Sequence, residues 1–214
     1  VKITLLSDHG HWMGPSKYIQ LTEAISSMGY RVTASLSRPG DVVVPEFGMV
    51  TCAGVHTYTP RQVAQDVVGI EGVDLTAYRD NDAIVVLSRE GRAKIHKSST
   101  GYRYQPDFGD PLALLPIIEQ LGKNGAVDNQ GFINDGRLFD ATVSHVYPDP
   151  LYRLWRAFHG LIENTPEVLI SFREGWHCGS PFMANIVKNL AGAHGSLKSI
   201  SSSGFIMTSA GRLP

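Results

Sequence analysis

The sequence has little of what marks several large protein classes. It holds no apolar run near the ~18 residues of a membrane span. Its formal net charge is −1, with no block of like charge and no basic stripe of the kind that nucleic-acid binding needs. Two cysteines, Cys52 and Cys178, are too few for a disulfide scaffold. We expect them to be buried, reduced thiols, which favours a cytoplasmic setting. The missing apolar run and the balanced charge argue against a membrane or nucleic-acid partner.

Several sequence signatures of phosphate and ester chemistry are also absent. The chain contains neither Gly-x-x-x-x-Gly-Lys-Ser/Thr nor Gly-x-Gly-x-x-Gly, the loops that cradle nucleotide phosphates. It also lacks the Gly-x-Ser-x-Gly elbow of serine esterases. Nothing in the sequence therefore supports a P-loop enzyme, a dinucleotide-binding enzyme or a serine esterase.

The chain is long enough and apolar enough to build a large core. Its 214 residues are 43% hydrophobic and 18% charged. Apolar periodicity predicts a strand over 1–7, a helix over 15–28, and later strands over 168–172 and 204–208 with a helix near 181–190 between them. We therefore expect an α/β fold with a mainly parallel sheet flanked by helices.

A small α+β module is predicted within residues 46–105. Thr59 and Pro60 suit the N-cap and first turn of a helix. Three segments rich in β-branched residues, joined by turn-forming links, are predicted strands: 73–78, 83–87 and 93–97. The predicted domain division is a core of residues 1–45 and 106–214 with this module inserted.

The segment Asp8-His9-Gly10 follows the first predicted strand directly. Ligands bind at the carboxyl ends of strands in open α/β sheets, so this position favours a site. Carboxylate with imidazole suits zinc, with manganese or iron as alternatives. The alternative interpretation is an Asp that caps a turn beside a surface His.

Three further histidines are candidates for the same site. His194 lies between glycines in Gly192-Ala193-His194-Gly195, a context typical of close backbone approach to a ligand, although a plain loop His is commoner. His177 follows the strand over 168–172, and His11 follows the first motif. The histidines predicted to be structural or exposed are His56, His96, His145 and His159.

Together, Ser7-Asp8-His9-Gly10 and the late Gly-x-His-Gly resemble the alkaline phosphatase superfamily, especially its type I phosphodiesterase and nucleotide pyrophosphatase branch. The resemblance implies two divalent ions, zinc favoured, with Asp8 and His9 on one ion and His194 on the other. The implied function is metal-dependent hydrolysis of a small-molecule phosphate ester, a diester or a pyrophosphate. A phosphomutase or sulfatase of the superfamily is an alternative, as is a non-catalytic domain with a degenerate metal site.

The sequence also departs from the family pattern. In this family the Ser or Thr nucleophile, a first Asp ligand and an Asp-x-x-x-His pair precede the Ser-Asp-His-Gly segment, whereas only seven residues precede Asp8 here. The chain moreover opens on Val1 inside a predicted core strand. We therefore expect a C-terminal fragment, inactive alone, whose missing N-terminal portion is a covalent or separate partner.

Overall fold

The structure, a computed structural model, describes residues 1–160, 162–187, 190 and 192–212. The strands are β1 (Thr4–Leu6), β2 (Lys17–Tyr18), β3 (Arg31–Val32), β4 (Asp41–Val43), β5 (Met49–Val50), β6 (Cys52–Thr57), β7 (Val73–Asp80), β8 (Ala83–Ser88), β9 (Gly91–Lys97), β10 (Tyr102–Phe108), β11 (Val168–Phe172), β12 (Trp176–Gly179) and β13 (Ile206–Thr208). The helices are α1 (Leu21–Ser27), α2 (Pro60–Val67), α3 (Leu115–Lys123), α4 (Asp135–Thr142), α5 (Pro150–Phe158), α6 (Pro181–Ile186) and α7 (Ser199–Ser202).

An eight-stranded sheet forms the centre of the fold, in the order β10-β9-β8-β7-β11-β6-β4-β3. Every neighbouring pair in it is antiparallel except β3 with β4. The consecutive strands β7 to β10 form a meander because the links between them are short. One of these links places Asn81 at φ 56°, a conformation that Asn adopts more readily than most residues.

The predicted mainly parallel sheet is therefore wrong. Short hairpin links can join only antiparallel neighbours, whereas parallel neighbours need a long crossover. In addition, β1 does not join the large sheet but pairs with β13 in a two-stranded antiparallel sheet. The first motif, which follows β1, thus lies outside the central sheet to which the sequence assigned it.

Helices cover both faces of the large sheet. Val85 and Leu87 of β8 belong to one buried cluster, which includes residues of α1 and α2. Ile84 and Val86, the alternate residues of the same strand, belong to the other cluster with residues of α4 and α5. This two-residue alternation follows from strand geometry, in which successive side chains point to opposite faces.

Most of the predicted elements exist, with shifted ends. The strands β7, β8, β9 and β11 and the helix α2 confirm their predictions. The first helix begins only at Leu21, because β2 occupies part of its predicted span. The helix predicted near 181–190 ends at Ile186, and residues 188 and 189 lie outside the described part. The division into two domains stays a prediction.

A three-stranded sheet, β2-β12-β5, completes the fold and joins the first part of the chain to the segment after β11.

Both cysteines are free, Cys178 buried as predicted and Cys52 half-buried. Among the described residues, no helix combines the length and the apolar character needed to cross a membrane.

Candidate metal centre

Two distant segments meet through a short backbone bridge. The Trp12 N–H donates to the Ala193 carbonyl at 2.9 Å, and the Ala193 N–H donates to the Trp12 carbonyl at 3.0 Å. This bridge aligns His11, one residue before it, with His194, one residue after it. Gly10 lets the same segment pass close to α7, because a Cβ there would collide with the carbonyl oxygen of Ile200.

Three imidazole rings lie together at this bridge. The centroids of His9 and His194 are 3.9 Å apart, with the ring planes 19° from parallel. His11 lies 5.6 Å from His194 and 6.5 Å from His9 by the same measure. The structure thus brings both predicted motifs, and the further candidate His11, into one cluster.

Asp8 adds a carboxylate to the cluster. Its Oδ2 is 3.3 Å from Nε2 of His9, and the other ring nitrogen of His9, Nδ1, is 2.8 Å from the Gly10 carbonyl oxygen. A neutral His9 that donates from Nδ1 to this carbonyl directs the lone pair of Nε2 at the carboxylate. Such an arrangement calls for a cation between the two groups, either a metal ion or the proton of an imidazolium.

The 3.3 Å separation fits two ligands of one zinc ion. Two metal–ligand bonds of about 2.0–2.1 Å at a tetrahedral angle set their outer atoms about 3.4 Å apart. The hydrogen bond from His9 Nδ1 to a backbone carbonyl is the usual outer-shell partner of a ligating histidine. Asp8 and His9 therefore have the chemistry and the spacing of a ligand pair.

The loop backbone at His194 is held by buried hydrogen bonds. The Thr51 N–H donates to the His194 carbonyl at 2.7 Å, and the Ser196 N–H donates to Oγ1 of Thr51 at 2.6 Å. Thr51 and Ser196 are 2% and 3% exposed. Further along the loop, Nη1 of Arg153 donates to the Leu197 carbonyl at 2.8 Å.

The surroundings favour the neutral form of His194. Partial burial lowers the pKa of this imidazole, and the neighbouring rings of His9 and His11 lower it further, while Asp8 acts in the opposite direction. Neutral imidazole is the form that binds metal ions. The site is open to solvent, since the Asp8 side chain is 84% exposed.

Among the described residues, no group of three or more His, Cys, Asp or Glu side chains is arranged to hold a single ion. The stacking of His9 on His194 explains this result in part. Two nearly parallel rings at 3.9 Å cannot both direct an in-plane lone pair at the same point. The cluster as it stands offers a ligand pair and a separate histidine, not a closed coordination shell.

His177 lies in a different environment. It is only 3% exposed, and its Nδ1 is 2.8 Å from Oγ of Ser16, with the ring of Tyr18 5.6 Å away. The reason for expecting it at the site was a strand over 168–172 parallel to the first strand. In the structure these strands belong to different sheets, so that reason no longer holds.

Three of the histidines predicted to be structural or exposed have partners within the protein. His56 contacts Glu167 at 3.2 Å, and His159 stacks on Trp155 with a centroid distance of 4.2 Å. Nδ1 of His145 accepts from the backbone N–H two residues later. Glu174, two residues after β11, forms an ion pair with Lys198 at 2.9 Å.

Sequence reasoning missed the residues that position the loop, above all Thr51. A single buried threonine carries no motif, and its partner Ser196 is distant in sequence.

Compared with protein-family models, curated proteins and solved structures, the chain matches none of them. The site must therefore be judged on its own geometry.

Proposed function

We propose that this chain carries part of a divalent-metal site that serves the hydrolysis of phosphate esters. Asp8 and His9 would hold one ion, and His194 a second. The observation that carries the proposal is the 3.3 Å separation of Asp8 Oδ2 and His9 Nε2, which matches the edge of a tetrahedral zinc site. Carboxylate with imidazole favours zinc, with manganese and iron as alternatives.

The stacking of the two histidines supports two ions rather than one. Rings 3.9 Å apart and close to parallel suit ligands of neighbouring ions, which lie about 3.5–4 Å apart in two-metal hydrolases. His11, 5.6 Å from His194, is available as a further ligand from the same cluster. Bound divalent ions would supply Lewis-acid chemistry at a phosphoryl oxygen. The choice of phosphate esters rests on the resemblance of Ser7-Asp8-His9-Gly10 and the late Gly-x-His-Gly to the alkaline phosphatase superfamily.

Two protein ligands on one ion and one on the other leave both ions incompletely bound. We propose that the remaining ligands and the nucleophile come from a polypeptide segment outside these 214 residues, joined to them or in a separate chain. The exposure of Asp8 and His11 leaves room for such a segment. The 214-residue chain alone should bind metal weakly and should not turn over substrate.

Hydrolysis by a longer polypeptide that includes these residues tests the function. With zinc present, it should cleave bis(4-nitrophenyl) phosphate faster than 4-nitrophenyl phosphate or 4-nitrophenyl sulfate. His9→Ala and His194→Ala should each lower the rate by at least about 100-fold, since loss of a ligand exceeds the 10–100-fold effect of an outer-shell change. His145→Ala is the matched control and should leave the rate unchanged.

Three results would contradict the proposal. Equal activity of the His9→Ala variant and the parent would exclude His9 as a metal ligand. Preference for the sulfate would favour the sulfatase alternative. No zinc-dependent turnover of any of the three esters would favour a domain with a degenerate site.

A further inference from the structure

A cavity of about 230 Å³ lies between the large sheet and α5. Leu75, Ala77 and Leu169 from the sheet form its floor, and Leu154 and Ala157 of α5 form its roof. The walls are predominantly apolar. The cavity is separate from the imidazole cluster, although Gly195, the residue after His194, contributes to its wall.

Small side chains create this space. Ala77 of β7 is 2% exposed and Ala157 of α5 is half-buried. Larger side chains at these two positions would fill the space between the sheet and α5, whereas two methyl groups leave it open. Protein interiors are otherwise close-packed, and an apolar cavity of about 150 Å³ is already large enough to bind benzene. At 230 Å³ the cavity suits a ligand smaller than the drug-sized ones that occupy roughly 300–1,000 Å³.

One charged residue, Arg153 of α5, contributes to the same wall. Its Nη1 donates to the Pro148 and Leu197 carbonyls, and its Nη2 donates to Oγ of Ser202 at 2.8 Å. Within the described residues, no carboxylate lies within 4.0 Å of this guanidinium. Asp149, at the start of α5, acts on this cation without a direct ion pair. Within the described residues Nε and the second hydrogen of Nη2 have no hydrogen-bond acceptor, which favours an anionic group on a ligand in the adjoining cavity.

We propose that this cavity binds a small amphiphilic carboxylate. An aryl or short alkyl body would occupy the space between Ala77 and Ala157, and the carboxylate would accept hydrogen bonds from Arg153. The proposal does not depend on the metal centre, because neither the cavity floor nor Arg153 belongs to the imidazole cluster. It assigns the chain a second ligand site of a different chemical class.

Binding of 3-phenylpropionate to the 214-residue chain in the presence of a chelator tests the proposal. The chelator removes metal ions, so the outcome does not depend on the proposed metal site. Titration followed by methyl NMR should show saturable shifts of the Ala77, Leu154 and Ala157 methyl groups, with NOEs from the phenyl protons to them. The neutral analogue 3-phenylpropanol should bind about tenfold more weakly, because it lacks the charge-assisted hydrogen bond.

A cavity-filling variant provides the second measurement. Ala157→Leu should reduce the affinity for 3-phenylpropionate at least about tenfold, since its side chain occupies the space. Ala24→Leu, a half-buried position on α1, is the matched control and should bind like the parent. If Ala157→Leu does not fold, the NOEs in the parent chain decide the question. Absence of binding, NOEs to other methyl groups, or equal affinity for the alcohol would each overturn the proposal.

Discussion

The loop that carries His194 depends on one buried hydroxyl, and its removal gives a quantitative prediction. In Thr51→Val the shape of the side chain is kept but the acceptor for the Ser196 N–H is lost. Both residues are almost fully buried, so water cannot replace the 2.6 Å hydrogen bond. An unsatisfied buried donor costs about 1–3 kcal/mol, and we expect a loss of about 2 kcal/mol in the free energy of unfolding.

The matched control is Thr76→Val. Thr76 is fully buried, and its hydroxyl donates to the Ala64 carbonyl at 2.9 Å. That carbonyl keeps a second partner, the Val68 N–H at 3.2 Å, so no group loses its last hydrogen bond. This variant should therefore lose only about 1 kcal/mol.

Equilibrium urea unfolding, followed by tryptophan fluorescence, measures both variants. With a slope of about 2 kcal/mol per molar urea, Thr51→Val should lower the midpoint by about 1 M and Thr76→Val by about half as much. Equal midpoints for the two variants would refute the reasoning, because the orphaned Ser196 N–H is the only feature that separates them. Thr51→Ser, which keeps the hydroxyl, should resemble the control rather than Thr51→Val.

Two further predictions concern the scaffold. The guanidinium of Arg31 donates to the buried carboxylate of Asp41 and holds the pKa of that carboxyl well below its usual range. The contribution of Asp41 to stability is therefore complete above about pH 4 and is lost as the pH falls below it. Urea midpoints should therefore fall less steeply below about pH 4 in Asp41→Asn than in the parent, and identical slopes would contradict the assignment. Gly109 (φ 60°) lies so close to the Glu90 carbonyl oxygen that Gly109→Ala should lower the free energy of unfolding by at least about 2 kcal/mol. Gly125 has a similar φ of 66° but open space around it, so Gly125→Ala should lower this free energy by about 1 kcal/mol. Equal urea midpoints for the two variants would contradict the close approach at Gly109.

Local sequence patterns predicted elements well and the sheet poorly. Alternating β-branched residues and turn links identified β7, β8 and β9, because both signals lie within a few residues of one another. The neighbours of β11 could not be predicted in this way. This strand lies between β6 and β7, which are far away from it in sequence. Its alternating burial is found in parallel and antiparallel strands alike. Direction and neighbours depend on packing that no single segment encodes.

The cluster of candidate residues was predicted in part for a similar reason. Asp8, His9 and His194 stand in short, recognisable motifs, and the structure brings them together. Thr51 positions His194 from a place in the sequence that carries no motif. His177 was a candidate only through the expected parallel sheet, which the structure does not contain, and its ring contacts Ser16 and Tyr18.

The most direct test of the metal centre is a zinc titration of the 214-residue chain followed by long-range ¹H–¹⁵N NMR of the histidine side chains. These spectra identify which ring nitrogen binds an ion. We predict that zinc shifts Nε2 of His9, whose Nδ1 keeps its proton on the Gly10 carbonyl, together with a ring nitrogen of His194, while His145 does not change. Zinc that leaves His9 unchanged, or that binds it through Nδ1, would contradict the account.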